Sequence, residues 1–398
     1  MLKKIVSKLF FLAVRVIGNT ATHTRDRFNI ALGRHKLVYA ETSGRLLRPE
    51  NPKRVAVVAL YPNRYLVPFI VNLMKGLERN GFFVLAVASK RLSGDISSPL
   101  LDHCHVLIER FPIGKDFGSY KMGIEWIGRQ PSLKNLETLA LVNDSLYYPA
   151  SIGDTIHDLL SLGKDWLALY ENHEIEYHAQ SFFQVFRKPI LDLESFKSFW
   201  STYKPLSSRM YFIEKGEKGI TRVLLKSGFL PSVLYDSLAI RNSSYRDLLQ
   251  GGMHSDIYAV VERTLNREGS EFEPSRVFSD FNAGNPAGNN GSLDGAFTIA
   301  KQWDWYAKNV ALQVARLAEN HNPTHATGLL CNMLFLAPIK RDICLKGCQH
   351  PISELLQFAR GFSDSEKTAM MDDLRMKGLP SSARPYSWRW IKLAAVLE

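Results

Sequence analysis

A chain of 398 residues with 45% hydrophobic and 22% charged residues buries a full core, as one large domain with additions or as two domains, and marks an ordinary globular protein. Lys and Arg outnumber Asp and Glu by 50 to 39, and the +11 surplus calls for an anionic partner: nucleic acid, nucleotide phosphates or an acidic lipid surface. Four cysteines are too few for a disulfide framework and fit a reducing cytoplasm.

The chain opens MLKKIVSKLFFLAVRVIG, basic and then apolar. Arg15 interrupts the apolar run, no A-x-A site follows, and nothing reaches the roughly 18 apolar residues of a spanning helix. Wound as an α-helix, Lys4, Lys8 and Arg15 share one narrow face, and Leu2, Ile5, Val6, Leu9, Ala13, Val16 and Ile17 cover the opposite one. That pattern predicts a helix lying in a membrane interface, with packing on the protein's own body as the alternative. Residues 1–50 form a basic amphipathic extension on this reading.

VAVVALYP at 55–62 predicts a buried parallel strand, and 68–81 a helix through Ile70, Leu73, Met74 and Leu77 that Gly81 stops. FFVLAVAS and HCHVLIER are the next two strands, so strand, helix and strand with short joints form a right-handed crossover unit of a doubly wound sheet. GKDFGSYKMGIEW follows, in which Gly114 and Gly118 flank Lys115 and Asp116 before a helix carrying Tyr120, Ile124 and Ile127. Its D-F-G is not the magnesium-holding tripeptide of a kinase, because no Gly-rich strand pair and no H-R-D-x-x-x-x-N loop precede it.

LETLALVNDSLYYP is a strand ending in Asn143, Asp144 and Ser145, and polar residues at the carboxyl end of a buried strand mark the edge where α/β sheets hold ligands. DWLALYEN and HAQSFFQVFRK are further strands, the latter with Gln180, Ser181 and Gln184 as polar insertions; FKSFWSTY and GITRVLLKSGF are helical. A Gly- and Asn-rich stretch at 280–295 is a lid or a linker, and the last hundred residues have helical periodicity. Cys344, Cys348 and His350 have a zinc-like spacing but want a fourth ligand, and the residues between them fit a helix end.

The commonest nucleotide, hydrolase and protease motifs are absent. What remains is an acid at a strand end, suited to a diphosphate bridged through a divalent cation, because Mg²⁺ takes one or two protein carboxylates and completes its shell with phosphate and water. Asp144 is the candidate metal ligand, with Asn143 and Ser145 as neutral donors; a turn in which Asp144 caps the next helix is the alternative.

GKDFGSYKMGIEW, LVNDSLYYPAS, HAQSFFQVFRKPIL, EKGEKGITRVLLKSGFLPSVLYD and the pair NPTH and PIKRD occur in this order and resemble the rhamnan synthesis protein F family of bacterial glycosyltransferases. The resemblance covers roughly residues 55–341. It implies an α/β fold with a GT-A-like, Rossmann-type mixed sheet flanked by helices: a catalytic domain at 51–245 and a mainly helical region at 246–398. The implied donor is a nucleotide sugar, dTDP-L-rhamnose, and the acceptor a polymeric or lipid-linked cell-surface glycan. The implied location is the inner face of the bacterial cytoplasmic membrane. N-D-S stands where relatives carry D-x-D, which leaves one carboxylate for Mg²⁺ or Mn²⁺.

By the same resemblance Asp116 belongs to the donor pocket, with Gly114 and Gly118 allowing close backbone approach and Lys115 and Lys121 facing the diphosphate. Glu217 corresponds to the acid that opens a helix near the acceptor, and Glu214 is its competitor. An inverting transfer needs such a carboxylate as base. His178, Gln180 and Ser181 are within reach of sugar hydroxyls or form a polar cluster of the core. For Asp116 and Glu217 the plain alternatives are an N-cap and an exposed first-turn acid. Two rivals stand beside this reading: a non-catalytic polysaccharide-assembly protein that keeps the fold, and a nucleic-acid binder, which the scatter of basic residues away from aromatics disfavours.

Overall fold

The computed structural model describes residues 18, 20–251, 256–267, 293–341 and 356–376. The amphipathic segment 1–17, residues 280–292 of the Gly- and Asn-rich stretch, and Cys344, Cys348 and His350 lie outside the described residues. The described chain divides into two units, one of residues 1–169, 178–233 and 362–398, the other of residues 170–177 and 234–361.

The first unit is built on an eight-stranded sheet. Its strands are β1 (Val38–Ser43), β2 (Arg54–Leu60), β3 (Phe83–Ala88), β4 (Val106–Arg110), β5 (Thr138–Asn143), β6 (Trp166–Ala168), β7 (Phe183–Arg187) and β8 (Ser232–Val233), in the spatial order β1-β4-β3-β2-β5-β7-β6-β8. β4, β3, β2 and β5 run parallel, as their unbroken apolar sequences predict for strands covered on both faces. β7 is antiparallel to both neighbours, pairing Phe183 with Val142 of β5 and Gln184 with Ala168 of β6. This reversal brings the start of β7 to the edge where β2 and β5 end.

Side chains alternate across the sheet. Val55, Val57, Leu85, Val87, Leu139 and Leu141 share a core with helices α3 (Lys115–Gly128), α5 (Glu194–Thr202) and α6 (Lys218–Lys226). Ala56, Val58 and Ala86, in the alternate register, are equally buried, and α1 (Val67–Arg79) packs on β3 and on α2 (Gly94–Leu101). Glycine permits two close approaches: a Cβ on Gly123 of α3 would stand 2.4 Å from Val57 Cγ1, and one on Gly76 of α1 would stand 2.9 Å from Ile152 Cγ2 of α4 (Ile152–Ser161). The α/β class and mixed, helix-flanked sheet are as expected.

In the second unit, helices Ser237–Gly251, Asp256–Arg267, Leu293–Asn320 and Gly328–Phe335 pack around Ile240, Leu248, Val261, Val310, Val314 and Leu330. Residues 293–295 open the long helix. In NPTH, Asn322 caps a short helix by accepting from Thr324 N and Thr324 Oγ1 at 3.2 and 2.7 Å. Cys104 of the first unit and Cys331 of the second are buried thiols, each pushed up to about 12 by burial.

Candidate functional site

Asp116 lies in the first turn of α3, after a tight turn in which Gly114 takes φ 78° and Lys115 φ 47°. Only glycine fits at 114, because a Cβ there would sit 2.4 Å from Pro205 Cβ. The Gly114 N–H donates to Ser207 Oγ at 2.8 Å. Gly118 is inside α3, not in the turn, and a Cβ there would meet the Ile113 carbonyl oxygen at 2.3 Å and the Arg110 guanidinium at 2.5 Å. The close approaches at both glycines are therefore to the protein's own chain. D-F-G divides its work: Asp116 goes to the sheet edge, Phe117 stacks on Trp200 at 5.7 Å in the core, and Gly118 makes room for Arg110.

Arg110 is the residue that the motif search missed. Its side chain is 1% exposed and donates to Ser119 Oγ at 3.0 Å and to the carbonyl oxygens of Phe111, Ile113 and Lys115 at 3.0, 2.7 and 2.9 Å. One guanidinium thus ties together three carbonyls of the turn that starts α3, of which that of Phe111 also accepts from Ile113 N at 2.9 Å. Burial lowers its pKa to about 9, with Asp116 opposing the shift. In the sequence Arg110 was only the last residue of a strand.

Asn143 ends β5 beside Ala59 of β2 and joins the two expected acids. Its Nδ2 donates to Asp116 Oδ2 at 2.7 Å, and its Oδ1 accepts from Ser145 N and Oγ at 3.0 and 2.5 Å. Asp144 Oδ2 accepts from Tyr61 N, just past β2, at 2.7 Å. On the other side of β5, Asn143 N donates to the Phe182 carbonyl at 3.1 Å, which ties in the segment before β7.

In that segment Ser181 Oγ donates to Glu217 Oε1 at 2.5 Å, and His178 Nε2 lies 4.0 Å from Glu217 Oε2. Gln180 is 5% exposed, and its Nε2 has no acceptor among the described residues, so it is a buried donor of the kind a ligand hydroxyl satisfies. Glu217 closes a π-helical turn, Phe212–Glu217, that runs into α6, a local irregularity common at functional sites. Glu214, in the same turn, faces elsewhere: Arg222 Nη1 lies at 2.6 Å and Lys218 Nζ at 3.8 Å.

Two wholly buried phenols floor this edge. Tyr120 OH donates to the Ser181 carbonyl at 2.9 Å and Tyr148 OH to the Asn143 carbonyl at 2.8 Å. Burial first, then nearby carboxylates, raise both hydroxyls well above the ordinary tyrosine value: Asp116, Glu217 and Asp144 act on Tyr120, and Asp144 and Asp116 on Tyr148. Three acids therefore surround one pair of neutral donors.

The cations are distributed otherwise than the sequence suggests. Lys121, expected to face a diphosphate, turns away and donates to the carbonyl oxygens of Trp200 and Ser201 at 2.5 and 2.9 Å, holding α3 to the end of α5. Lys115, also expected there, has its backbone in the left-handed region, at φ 47°. Lys90, past the end of β3, sits over the Tyr61 ring at 4.7 Å; burial lowers its pKa and Asp144 opposes that. Tyr61 itself is exposed. The structure thus brings Asp116, Asn143, Asp144, Ser145, His178, Gln180, Ser181 and Glu217 to one sheet edge, adds Lys90 and Tyr61, and diverts Lys121 and Glu214.

Residues 84–250 match the family model described as rhamnan synthesis protein F, the family that the ordered blocks resemble. Among curated proteins, the uncharacterized protein y4gN of Sinorhizobium fredii is 25% identical over 186 residues, 46% of this chain and 48% of that one. Virulence protein VirA of Vibrio anguillarum is 28% identical over 155 residues, 38% of this chain and 49% of that one. The chain thus spans about half the length of the curated relatives it matches. Among solved structures, a mannosyltransferase from Pyrobaculum calidifontis in complex with GDP-Man and Mn²⁺ aligns over 93% of this chain and 98% of its own, at 10% identity and a TM-score of 0.28.

Proposed function

We propose that this chain is a glycosyltransferase that moves a deoxysugar, L-rhamnose from dTDP-L-rhamnose, onto a bacterial cell-surface polysaccharide or its lipid-linked precursor, with inversion at the anomeric carbon. The match to the rhamnan synthesis protein F model supports the transferase class. The observation that carries the reading is the Asp116–Asn143 hydrogen bond of 2.7 Å, which joins two polar strand-edge motifs with Asp144 beside them and Glu217 beyond Ser181. An edge with acids on both flanks suits a reaction that handles a diphosphate at one end and a hydroxyl proton at the other.

In this mechanism the acceptor oxygen attacks the anomeric carbon, the bond from that carbon to the diphosphate breaks, and the nucleoside diphosphate leaves with the electron pair. Glu217 takes the acceptor proton, and Ser181 holds the carboxylate that does so. In this reading Gln180 Nε2 and His178 meet sugar hydroxyls. Lys90 supplies positive charge beside Asp144. Mg²⁺ or Mn²⁺ would be held by Asp144, with Asp116 on the far side of Asn143. Among the described residues no three His, Cys, Asp or Glu side chains form a metal cage, so such an ion would complete its shell with diphosphate oxygens and water. When bound it would offset charge on the leaving diphosphate.

We place the enzyme in the cytoplasm, peripheral on the inner face of the cytoplasmic membrane; among the described residues no helix is long and apolar enough to cross one. The test is release of dTDP from dTDP-L-rhamnose by the purified chain, with a thermal-shift screen of nucleotide sugars with and without Mn²⁺. Turnover that falls by about 10²–10⁴ in Glu217→Gln, and that Asp144→Asn abolishes, is expected. A fold stabilised by no nucleotide sugar and releasing no nucleotide would favour a non-catalytic assembly protein, the reading suggested by the single carboxylate of N-D-S.

A further inference from the structure

The helical stretch at residues 20–31 has its polarity inverted. A helix packed on a soluble protein turns apolar side chains inward. Here Asp26 and Asn29 are 1% and 7% exposed, while Phe28 and Leu32, one turn apart, are 63% and 53% exposed. Hydrogen bonds explain the inward face: Asp26 Oδ2 accepts from Ser207 N at 2.5 Å, and Asn29 Oδ1 from Arg34 at 3.1 Å. Among the described residues none buries the outward one. Leu37 and Val38, further along the chain, are also 45% and 37% exposed.

Charge identifies the partner. Residues 1–38 hold eight Lys and Arg and a single acid, Asp26, so about a tenth of the chain carries +7 of its net +11. The surplus that looked scattered is concentrated at one end. Arg25, Arg27 and Lys36 are exposed beside the apolar strip, and the one acid is turned inward. The segment 1–17 that leads into the strip has the same chemistry in its sequence, apolar on one helical face and cationic on the other. Nucleic acid would be met by cations with polar or stacking side chains, whereas exposed Phe28 and Leu32 among arginines suit an acyl boundary under anionic headgroups.

We infer that residues 20–38 form a docking surface for an anionic lipid bilayer, with Phe28 and Leu32 entering the interface and Arg25, Arg27 and Lys36 on the headgroups. This deepens and rests on the peripheral membrane placement proposed above, and it does not rest on the transfer chemistry. Because Asp26 binds Ser207, and Ser207 accepts from the Gly114 N–H, the surface is fixed to the turn that carries Asp116.

The test is flotation of the full chain with vesicles of phosphatidylcholine alone or mixed with phosphatidylglycerol. Binding should rise at least tenfold with phosphatidylglycerol and fall with added salt. Phe28→Asp/Leu32→Asp should lose at least tenfold with an unchanged melting temperature. Arg25→Glu/Arg27→Glu should lose the phosphatidylglycerol dependence, and it decides the matter should the apolar variant unfold. The inference is overturned if the variants float like the wild type, if the two vesicle types bind alike, if an oligonucleotide outcompetes the vesicles, or if Phe28→Asp dissolves a dimer that never floats. Release of dTDP measured in the same samples reads the chemistry separately.

Discussion

Replacing Arg110 by Met tests whether one buried guanidinium builds the turn that presents Asp116. Met keeps most of the stem and removes four hydrogen bonds, three of them to the carbonyls of Phe111, Ile113 and Lys115. A buried acceptor left without a donor costs about 1–3 kcal/mol, and the loss falls chiefly on the Ile113 carbonyl, whose bond to Arg110 is buried, because the Phe111 carbonyl keeps its bond from Ile113 N at 2.9 Å. Part of this is returned because the variant no longer has to desolvate a cation. A net loss of about 2 kcal/mol follows, a sizeable share of the roughly 5–15 kcal/mol by which a domain is stable. Arg110→Lys keeps a charge but only one donor point, and should lose about half as much. Urea unfolding followed by circular dichroism gives the stability, and thermal shift with dTDP-L-rhamnose reports the donor pocket. A loss below about 1 kcal/mol in Arg110→Met, or an unaltered donor response in a destabilised protein, would refute the account of Arg110 as the organiser of that turn.

Burial lowers the Lys90 pKa, so its charge is lost at a lower pH than that of a free lysine. The KM for the donor should therefore rise early on the alkaline side; Lys90→Arg should move that limb to higher pH, Lys90→Met should raise KM throughout, and an identical limb in Lys90→Met would exclude Lys90 as its source. His105 accepts from Val84 N through Nδ1 at 3.0 Å, which requires the unprotonated nitrogen, and burial pushes its pKa down to about 4. The unfolded chain takes up that proton near pH ~6.5, so stability should fall as pH drops from about 6.5 toward 4. Melting temperatures across this range should be flatter for His105→Gln; the same slope in both proteins would assign the acid sensitivity elsewhere.

The frame was legible because parallel strands covered on both faces must be apolar at every position. VAVVAL, FVLAVA and LALV have no solvent face to encode, and Gly81 and the Pro-rich joints limit what lies between them. The polar break at Asn143, Asp144 and Ser145 stood out against that background for the same reason. The strand read at 165–172 contributes only Trp166–Ala168 to the large sheet, a length that its apolar composition did not specify.

By itself, then, the chain order of residues determined where buried strands run and which of their ends are polar, since burial is a local demand that each residue type meets or fails. Partner choice is not local. Antiparallel β7 lies next to β5, and so Ser181 and Glu217 meet the edge that Asn143 ends, while Glu214, three residues earlier, pairs with Arg222. Lys121 seemed free for a phosphate and donates its ammonium to the carbonyls of Trp200 and Ser201, whereas Arg110 and Lys90, inconspicuous at or just past their strand ends, become cations that Asp116 and Asp144 act on. Only the packed fold decides which donor reaches which acceptor first, because a hydrogen bond is set by a few tenths of an ångström that no linear spacing records.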